Sequence, residues 1–256
     1  MCGRYVNVAS NADLTDEFDV EEVVGDEPGP SWNVAPTDPV RVIVERPPKE
    51  PKEPKEKDAP AATTRQLRTV TWGLVPNWSK DRKGGAKMIN ARIETVTSKP
   101  AFKTAAARRR CLIPALGYYE WQKTDQGKVP YFLHDPDGHL LAMAGLYELW
   151  RDPQKDKDDP SRWLWTCTII TQQATDLLGM IHDRNPVVVP PELRAAWLDC
   201  TSEDAAAAQR VLDQLPEARL DPYVVGRAVG NVRNNGPELI EPADDPAQAR
   251  QEPLQL

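Results

Sequence analysis

Several features are scarce or missing in this chain of 256 residues, and each absence excludes a class of protein. No stretch approaches the roughly 18 consecutive apolar residues of a membrane helix, and the N-terminus lacks the pattern of a signal peptide. We therefore expect a cytosolic protein. The four cysteines lie far apart without a CxxC pair, and there are only three histidines. This scarcity predicts no structural zinc site, no other metal and no cofactor, with Cys111 and Cys167 as reduced core residues.

Two common phosphate-binding or catalytic motifs are also missing, and the net charge is negative, whereas general nucleic-acid binders are usually positive. Neither a glycine-rich phosphate loop nor a GxSxG elbow occurs in the chain. The net charge of −7 argues against a generally basic nucleic-acid binder. Bulk charge does not exclude a local cationic groove, so the positions of the charges matter.

The hydrophobic pattern predicts many strands and few helices, without a βαβ rhythm. The predicted strands are 3–8, 40–45, 65–73, 111–121, 131–134, 140–146, 163–171, 187–189 and 223–225. The predicted helices are 12–18, 100–107, 174–178, 191–198 and 202–214. This pattern indicates an α+β fold that is rich in β structure, with a twisted antiparallel or barrel-like sheet and peripheral helices.

Polar segments interrupt this pattern without dividing it into separate domains. We expect one domain over 2–241, because the strands on either side of each insert are predicted to pair. Lys, Glu and Pro repeats at 46–62 predict a disordered loop, and 151–161 is a second polar insert. The acidic stretch 11–27 is interpreted as a short amphipathic helix that runs into a loop, and 242–256 as a disordered tail.

The chain begins MCGRY, with a small residue at position two. Loss of Met1 would leave Cys2 with a free α-amino group beside its thiol. The amine titrates near pH 8 and the thiol near 8.5, so we expect a useful fraction of each to be nucleophilic at neutral pH. Such a pair traps an aldehyde as a Schiff base that closes to a thiazolidine, or its thiol attacks an amide as in N-terminal hydrolases. Alternatively, Met1 stays and Cys2 is an ordinary strand residue.

Two motifs at the ends of predicted strands hold residues that packing alone does not require. Asn33 and Pro36 belong to the sequence NVAP, which follows an acidic loop. Trp72 and Gly73 begin the sequence WGLVPNW, in which the glycine permits close backbone approach. The indoles of Trp72 and Trp78 either form a stacking surface for an unpaired base or both belong to the core.

Three more candidate groups lie in NARIE, GYYEW and MIHDRNP. In NARIE, the Asn90 amide can hold a nucleophile and the Arg92 guanidinium can bind a phosphate, unless the motif is only a helix cap. Aromatic neighbours are expected to desolvate Glu120 and raise its pKa, as a general acid or base requires. His182 alone among the histidines has Asp and Arg immediately beside it. The alternatives are a solvent-facing edge glutamate and a structural histidine.

Taken together and in order, these motifs resemble the SOS-response-associated peptidase family, whose members shield abasic sites in single-stranded DNA by covalent cross-linking. The resemblance runs from Cys2 to about Glu241, through MCGRY, NVAP, WGLVPNW, INARIET, LIPALGYYEW, IHDRNP and VGNVRNNGPELI. It implies a β-rich fold with a positively charged single-strand channel. It further implies that Met1 is removed autocatalytically and that Cys2 forms a thiazolidine link to the abasic sugar. A lyase-like activity could accompany this cross-linking. We expect a monomer whose partner is single-stranded DNA with abasic sites, nucleoid-associated when bound.

The same match assigns roles to individual residues. The implied catalytic set is Cys2, Asn90, Glu120 and His182. The implied DNA-binding set consists of three arginines that meet phosphates and four residues that shape the pocket: Arg4, Arg92, Arg184, Asn33, Pro36, Trp72 and Gly73. Asn185 stands where a second arginine is common in the family, and the Lys/Glu/Pro insert matches no family motif.

Two rival functions fit parts of the sequence. A cysteine peptidase or amidase acting on other proteins would use the thiol for turnover in trans. A non-covalent single-strand DNA binder would use the aromatic and cationic motifs and leave Cys2 without a role.

Overall fold

The computed structural model describes residues 2–47, 63–125, 127–201 and 204–243, except for the side chains of residues 176 and 177. Most of the loop predicted at 46–62 and of the tail predicted at 242–256 lies outside the described residues. Residue 46 itself ends a strand.

The described part of the chain contains thirteen strands and five α-helices. The strands are β1 (Tyr5–Asn7), β2 (Glu22–Val24), β3 (Ser31–Val34), β4 (Pro39–Arg46), β5 (Thr64–Trp72), β6 (Asn90–Arg92), β7 (Arg110–Ala115), β8 (Gly117–Thr124), β9 (Gly127–His134), β10 (Leu141–Arg151), β11 (Trp163–Gln173), β12 (Arg184–Pro186) and β13 (Asp221–Val224). The helices are α1 (Asn11–Glu17), α2 (Lys103–Arg108), α3 (Asp176–Ile181), α4 (Pro191–Leu198) and α5 (Ala205–Leu212). None of these helices is both long and apolar enough to cross a membrane.

Five strands close into a mixed barrel. Strands β11, β10, β7, β4 and β5 pair with one another in that order, each antiparallel to the next. The circle closes because β5 also pairs with β11, in parallel, at Thr71–Thr166 and Trp72–Cys167. Closure leaves no free edge between these five strands. The predicted α+β, β-rich and barrel-like fold is confirmed.

A second sheet, in the order β13-β9-β8-β1-β3, packs against the barrel. The chain passes from the barrel to this sheet at Leu116, whose N–H donates to the Val6 carbonyl at 2.8 Å. A Cβ at Gly117 would lie 2.4 Å from the Phe132 ring, so the following strand starts where only glycine fits. The single strand predicted over 111–121 is therefore wrong, because β7 and β8 belong to different sheets.

Residues alternate along the barrel strands between two apolar clusters. Val42 and Val44 of β4 belong to the cluster inside the barrel, whereas Ile43 between them packs outward against the helices. Cys2 and Tyr118 also belong to the inner cluster. The second sheet thus brings the N-terminal residues to the barrel interior.

Other differences from the prediction involve short elements. β2, β3 and β6 have three or four residues each, too few to show a clear period. The strand predicted at 187–189 lies three residues earlier, at Arg184–Pro186, and Val188 forms an isolated bridge with Met143. The helix predicted at 191–198 is confirmed at both ends, since Pro190 and Pro191 mark its start.

Candidate functional site

Cys2 lies just before β1 and is held by a residue far away in sequence. Its side chain is fully buried, and its carbonyl accepts a hydrogen bond of 2.8 Å from Asn90 Nδ2. Asn90 begins β6, which pairs in parallel with β11 opposite Ile169. The short strand β6 therefore fixes the amide beside the Cys2 backbone, and the role of Asn90 in holding the nucleophile stays a prediction.

The Cys2 thiol lies in an apolar interior. Burial raises the pKa of this thiol far above its ordinary value, and the charge of Glu120 raises it further. A hydrogen bond from the Arg4 backbone opposes the shift. With Met1 in place, the apolar interior disfavours the thiolate, and the partly ionised thiol expected after removal of Met1 stays a prediction. The thiol needs a base beside it to react.

Glu120 lies in β8 and is only 4% exposed. Alternation along the strand directs Tyr118 and Glu120 to one face and Tyr119 and Trp121 to the other, where a separate apolar cluster forms. Burial raises the pKa of Glu120 to about 7. The predicted rise is confirmed, and the alternative of a solvent-facing glutamate is wrong.

His182 follows the last residue of α3 and faces Glu120. Its Nε2 lies 4.0 Å from Glu120 Oε2, too far for a direct hydrogen bond. The Arg184 backbone N–H donates to His182 Nδ1 at 3.0 Å, which assigns the proton of a neutral ring to Nε2. Asp183 Oδ1 is also 3.0 Å from Nδ1 and favours the charged ring. Burial is the larger influence and lowers the pKa of His182, in agreement with the neutral form.

Tyr118 is a neighbour of the site that sequence reasoning missed. It is fully buried on the same face of β8 as Glu120 and pairs with Tyr5 of β1. Within the described residues its hydroxyl has no hydrogen-bond partner. Burial raises its pKa, and the nearby charges of Cys2 and Glu120 add to the rise. Strand alternation in GYYEW was the signal that would have found it.

Arg184, which is half-buried, and Arg92, which is exposed, lie at the rim of the site. Arg184 begins β12 and binds both carboxylate oxygens of Glu94, at 2.6 and 3.1 Å, and the Thr171 carbonyl at 2.5 Å. This contact lowers the pKa of Glu94. Arg92 ends β6, is exposed, and stands opposite Thr171 in the register with β11. The structure thus brings two of the three arginines predicted to bind phosphates to one edge, together with an acid, Glu94, that the prediction did not include.

Arg4 and Asn33 form an internal network. Arg4 Nη1 donates to Asn33 Oδ1 at 2.8 Å and to the Val229 carbonyl at 2.9 Å. Asn33 Nδ2 donates to the carbonyls of Asn231 and Asn234. These bonds tie the segment after Val229 to β1 and β3. A phosphate contact from Arg4 stays a prediction, and it would draw on a guanidinium that already has partners.

The motif WGLVPNW divides between core and surface. Trp72 is 1% exposed and packs edge-on against Tyr5, with ring centroids 5.3 Å apart, whereas Trp78 is 65% exposed. Both predicted arrangements are therefore wrong: Trp72 and Trp78 are not both in the core, and they do not form one stacking surface together. Gly73 has φ +128, and a Cβ there would lie 2.7 Å from the Gly85 carbonyl oxygen. Pro36 is partly buried in the turn that leads into β4.

Two further features bear on ligands. Asn185 is 1% exposed, so it does not replace the second arginine as a surface contact for a phosphate.

Residues 80–110 contain ten lysines and arginines but only two acids, so a strongly cationic segment exists within the acidic chain. Among the residues with described positions, no group of three or more His, Cys, Asp or Glu side chains is arranged to hold a metal ion.

Comparisons with known proteins identify the family of this chain. A family model described as SOS response associated peptidase (SRAP) matches residues 1–232. Abasic site processing protein YoqW of Bacillus subtilis is 35% identical over 243 residues, which cover 94% of this chain and 99% of that protein. Abasic site processing protein YedK of Escherichia coli is 30% identical over 247 residues, with 94% and 100% covered.

A solved structure supports the fold independently. A protein from Bacteroides thetaiotaomicron superimposes with a TM-score of 0.75 at 22% identity, over 94% of this chain and 100% of that one. At this identity the likeness shows the shared architecture. With the family model matching almost the whole described chain, the protein belongs to the SOS response associated peptidase family.

Proposed function

We propose that this protein binds single-stranded DNA and traps abasic sites covalently through Cys2 after Met1 is removed, which shields the lesion. The names of its relatives support abasic-site processing as the reaction class. The observation that carries the proposal is the buried Glu120 carboxyl, with a pKa of about 7, beside the buried Cys2 thiol. A carboxyl group with this pKa accepts and donates protons at neutral pH.

The chemistry begins with the ring-opened abasic sugar, which presents an aldehyde. The α-amine of Cys2 adds to the aldehyde carbon, and loss of one water gives a Schiff base. The Cys2 sulphur then attacks the imine carbon, and its proton goes to the ring nitrogen through a base. The product is a thiazolidine. Overall, one aldehyde and one aminothiol combine, and one water molecule is released.

Glu120 carries the proton transfers in this scheme. In its protonated form it gives a proton to the leaving hydroxyl, and the resulting carboxylate takes a proton from the neutral thiol as sulphur attacks. The raised pKa of Cys2 makes that second role necessary. Asn90 orients the Cys2 backbone, and His182, with its proton on Nε2, donates to or accepts from the sugar oxygen in the space beside Glu120.

The same residues account for the peptidase name. With Met1 still attached, Glu120 takes the proton of the Cys2 thiol as the sulphur attacks the Met1 carbonyl, and it gives that proton to the leaving Cys2 amine. Water then hydrolyses the thioester, which releases methionine and restores the thiol. Mass spectrometry of purified protein should show Cys2 as the first residue. Met1 retained on fully active protein would rule out the amine as nucleophile.

DNA binding is assigned to the rim and to the cationic segment. Arg92 and Arg184 lie at the same edge as Asn90, and Arg92 belongs to the segment 80–110, which has ten basic and two acidic residues. A single strand is held there through its phosphates without regard to base sequence.

One experiment separates this proposal from its rivals. Purified protein is incubated with single-stranded DNA that contains one abasic site and is then run on a denaturing gel. The proposal expects a stoichiometric adduct that survives denaturation and is absent with undamaged DNA. A trans-acting peptidase would give turnover of peptides and no adduct, and a non-covalent binder would give a shift on native gels alone.

A further inference from the structure

Two arginines share one aromatic ring at the end of the barrel where β4 ends and β11 begins. The guanidinium carbon of Arg68 lies 3.9 Å from the ring centroid of Trp165, and that of Arg46 lies 4.9 Å from it. Tyr147 stacks against the same indole, with ring centroids 5.3 Å apart. Two atoms at 3.9 and 4.9 Å from one point are at most 8.8 Å apart, so the two positive charges are neighbours.

Strand register directs these four side chains, the Trp165 cluster, to the inner side of the barrel wall. Arg68 of β5 pairs with Val42 of β4, which belongs to the inner apolar cluster. Arg46 lies four residues after Val42 on the same strand and therefore points to the same side. Tyr147 belongs to the inner cluster, and Trp165 packs against it. The two guanidiniums thus approach the indole from one side of the wall.

The acids near the Trp165 cluster do not neutralise it. Among the described residues, no carboxylate oxygen lies within 4.0 Å of a nitrogen of either guanidinium. Glu45 faces the other side of the wall and pairs with Arg65 at 2.8 Å. Glu22 accepts a hydrogen bond of 2.6 Å from Gln66 and favours the charged form of Arg68 only from a distance. The cluster therefore keeps two positive charges without an ion pair.

This arrangement of like charges is unfavourable by itself. Burial lowers the pKa of Arg68, and the charge of Arg46 lowers it further. The charge of Arg46 also acts on Tyr147, where it opposes the rise in pKa that burial causes. Arg46 is therefore close to both of these side chains. An anion between the two guanidiniums would turn their repulsion into two attractions.

Most donors of the Trp165 cluster are available to a ligand. In the described part of the chain, Arg68 donates one side-chain hydrogen bond, from Nη1 to Gln66 Oε1 at 2.8 Å, and Arg46 donates none. Their other nitrogens and the Tyr147 hydroxyl are not among the buried atoms that lack a partner, so these donors reach solvent. A guanidinium on an aromatic ring uses its face for stacking and keeps its N–H edge for an acceptor.

We propose that the Trp165 cluster binds a phosphate group with two negative charges, inorganic phosphate or the phosphate of a small monoester, between Arg46 and Arg68 with the Tyr147 hydroxyl as a further donor. Two guanidiniums match the charge of nearly −2 that such a group carries above neutral pH. Its oxygens accept N–H bonds of about 2.8 Å on opposite sides, so it can bridge two guanidiniums at this separation. The site is separate from the proposed abasic-site chemistry and does not depend on it.

Thermal unfolding of the full-length protein tests the site. Sodium phosphate is titrated at pH 8 and constant ionic strength, with sodium chloride as the reference. We expect phosphate to raise the wild-type melting temperature by about 2–4 °C more than it raises that of the variants below, once it exceeds its dissociation constant about tenfold. The comparison with variants is needed because phosphate also stabilises proteins generally, through its exclusion from their surface.

The variants remove one guanidinium at a time. Arg68→Gln and Arg46→Gln should each reduce the phosphate shift to the general effect. Arg46 is half-buried at the end of β4, so its variant serves if Arg68→Gln folds poorly. Arg194→Gln is the matched control, because it removes a guanidinium 4.5 Å from the ring of Phe18 that is already paired with Glu17. It should keep the wild-type shift. An equal shift in wild type, Arg68→Gln and Arg46→Gln would overturn the proposal, as would loss of the shift in Arg194→Gln.

DNA is a second source of phosphate, and native gels distinguish it. An undamaged single-stranded oligonucleotide without terminal phosphates is titrated into wild type and Arg46→Gln. We expect equal affinities, because each diester carries one charge and Trp165 lies six residues along β11 from the partner of Arg92, or roughly 20 Å. Weaker DNA binding by Arg46→Gln would overturn the assignment to a small phosphate and make the cluster part of the DNA-binding surface.

Discussion

The interior and the rim of the candidate site use charge in opposite ways. In the interior, burial raises the pKa of the Cys2 thiol and of the Glu120 carboxyl, so both groups stay protonated at a higher pH than they would in water. At the rim, the half-buried Arg184 pairs with the exposed Glu94, and this contact lowers the pKa of Glu94. The proposed function needs both environments in one site, because proton transfer by a carboxyl with a raised pKa requires burial and phosphate binding requires accessible cations.

This difference has a measurable consequence. Changes in the interior should alter the rate of adduct formation at saturating DNA, with little dependence on salt. Changes at the rim should alter affinity and its salt dependence, because exposed charges are screened over roughly 10 Å at 0.1 M salt. The following variants test that division, in order of decreasing effect.

Cys2→Ala removes the nucleophile from the interior. We expect complete loss of the denaturation-resistant adduct and nearly unchanged non-covalent affinity for DNA, because phosphate contacts supply that affinity. The matched control is Cys167→Ala, which also removes a buried thiol from the inner cluster. Denaturing and native gels measure the two quantities. Undiminished adduct from Cys2→Ala would refute the role of the thiol.

Glu120→Gln keeps the shape of the side chain but cannot exchange protons. We expect the cross-linking rate at saturating DNA to fall by about 10²- to 10⁴-fold. In the wild type the rate should change with pH around 7, where Glu120 titrates, and in the variant this inflection should vanish. A variant that keeps both the rate and the inflection would show that another group moves the proton.

Glu120→Gln, which should lower the cross-linking rate, should raise the free energy of unfolding relative to wild type as pH increases. The pKa of Glu120 is raised in the folded protein from about 4.3 in an unfolded chain to about 7. Its stabilising contribution is therefore complete below about pH 4.3 and is lost as pH rises through 7. Relative to wild type, Glu120→Gln should gain roughly 3 kcal/mol of unfolding free energy between pH 4 and pH 8. Urea unfolding at both pH values measures the gain, and no pH-dependent difference would contradict the buried ionisation.

Arg92→Ala tests the exposed cation at the rim. We expect the slope of log affinity against log salt to become shallower by about 0.7, the value for one phosphate contact on single-stranded DNA. Saturating DNA should restore the cross-linking rate. Arg46→Ala is the control, since Arg46 stacks over Trp165, six residues along β11 from the partner of Arg92, or roughly 20 Å away. An altered slope for Arg46→Ala alone would move the binding surface to that end of the barrel.

Glu94→Gln should have the smallest effect, and it should strengthen binding. Glu94 competes with phosphate for Arg184, so its neutralisation should tighten DNA binding by about 0.2–1 kcal/mol and steepen the salt slope. Glu17→Gln is the matched control, because Glu17 pairs with Arg194 elsewhere on the surface. If Glu94→Gln weakens binding, Glu94 instead positions Arg184 for the phosphate.

Local chemistry in the sequence was enough for several parts of this structure. Paired prolines at 190 and 191 mark the start of α4, and apolar alternation predicts most of β4 and β5, because these signals act within a few residues. The rise in the pKa of Glu120 also followed from its aromatic neighbours in GYYEW. The ordered motifs also indicated the family, because they occur along the whole chain in the expected order.

Contacts between distant residues were decided only by the tertiary structure. The parallel closure of β5 on β11 joins residues 95 positions apart, and no local pattern encodes a partner strand. The break at Leu116 separates two strands that look continuous, because the chain changes sheet there. Arg184 meets Glu94 for the same reason: a charge is neutralised by what the fold places beside it, not by its neighbours in sequence.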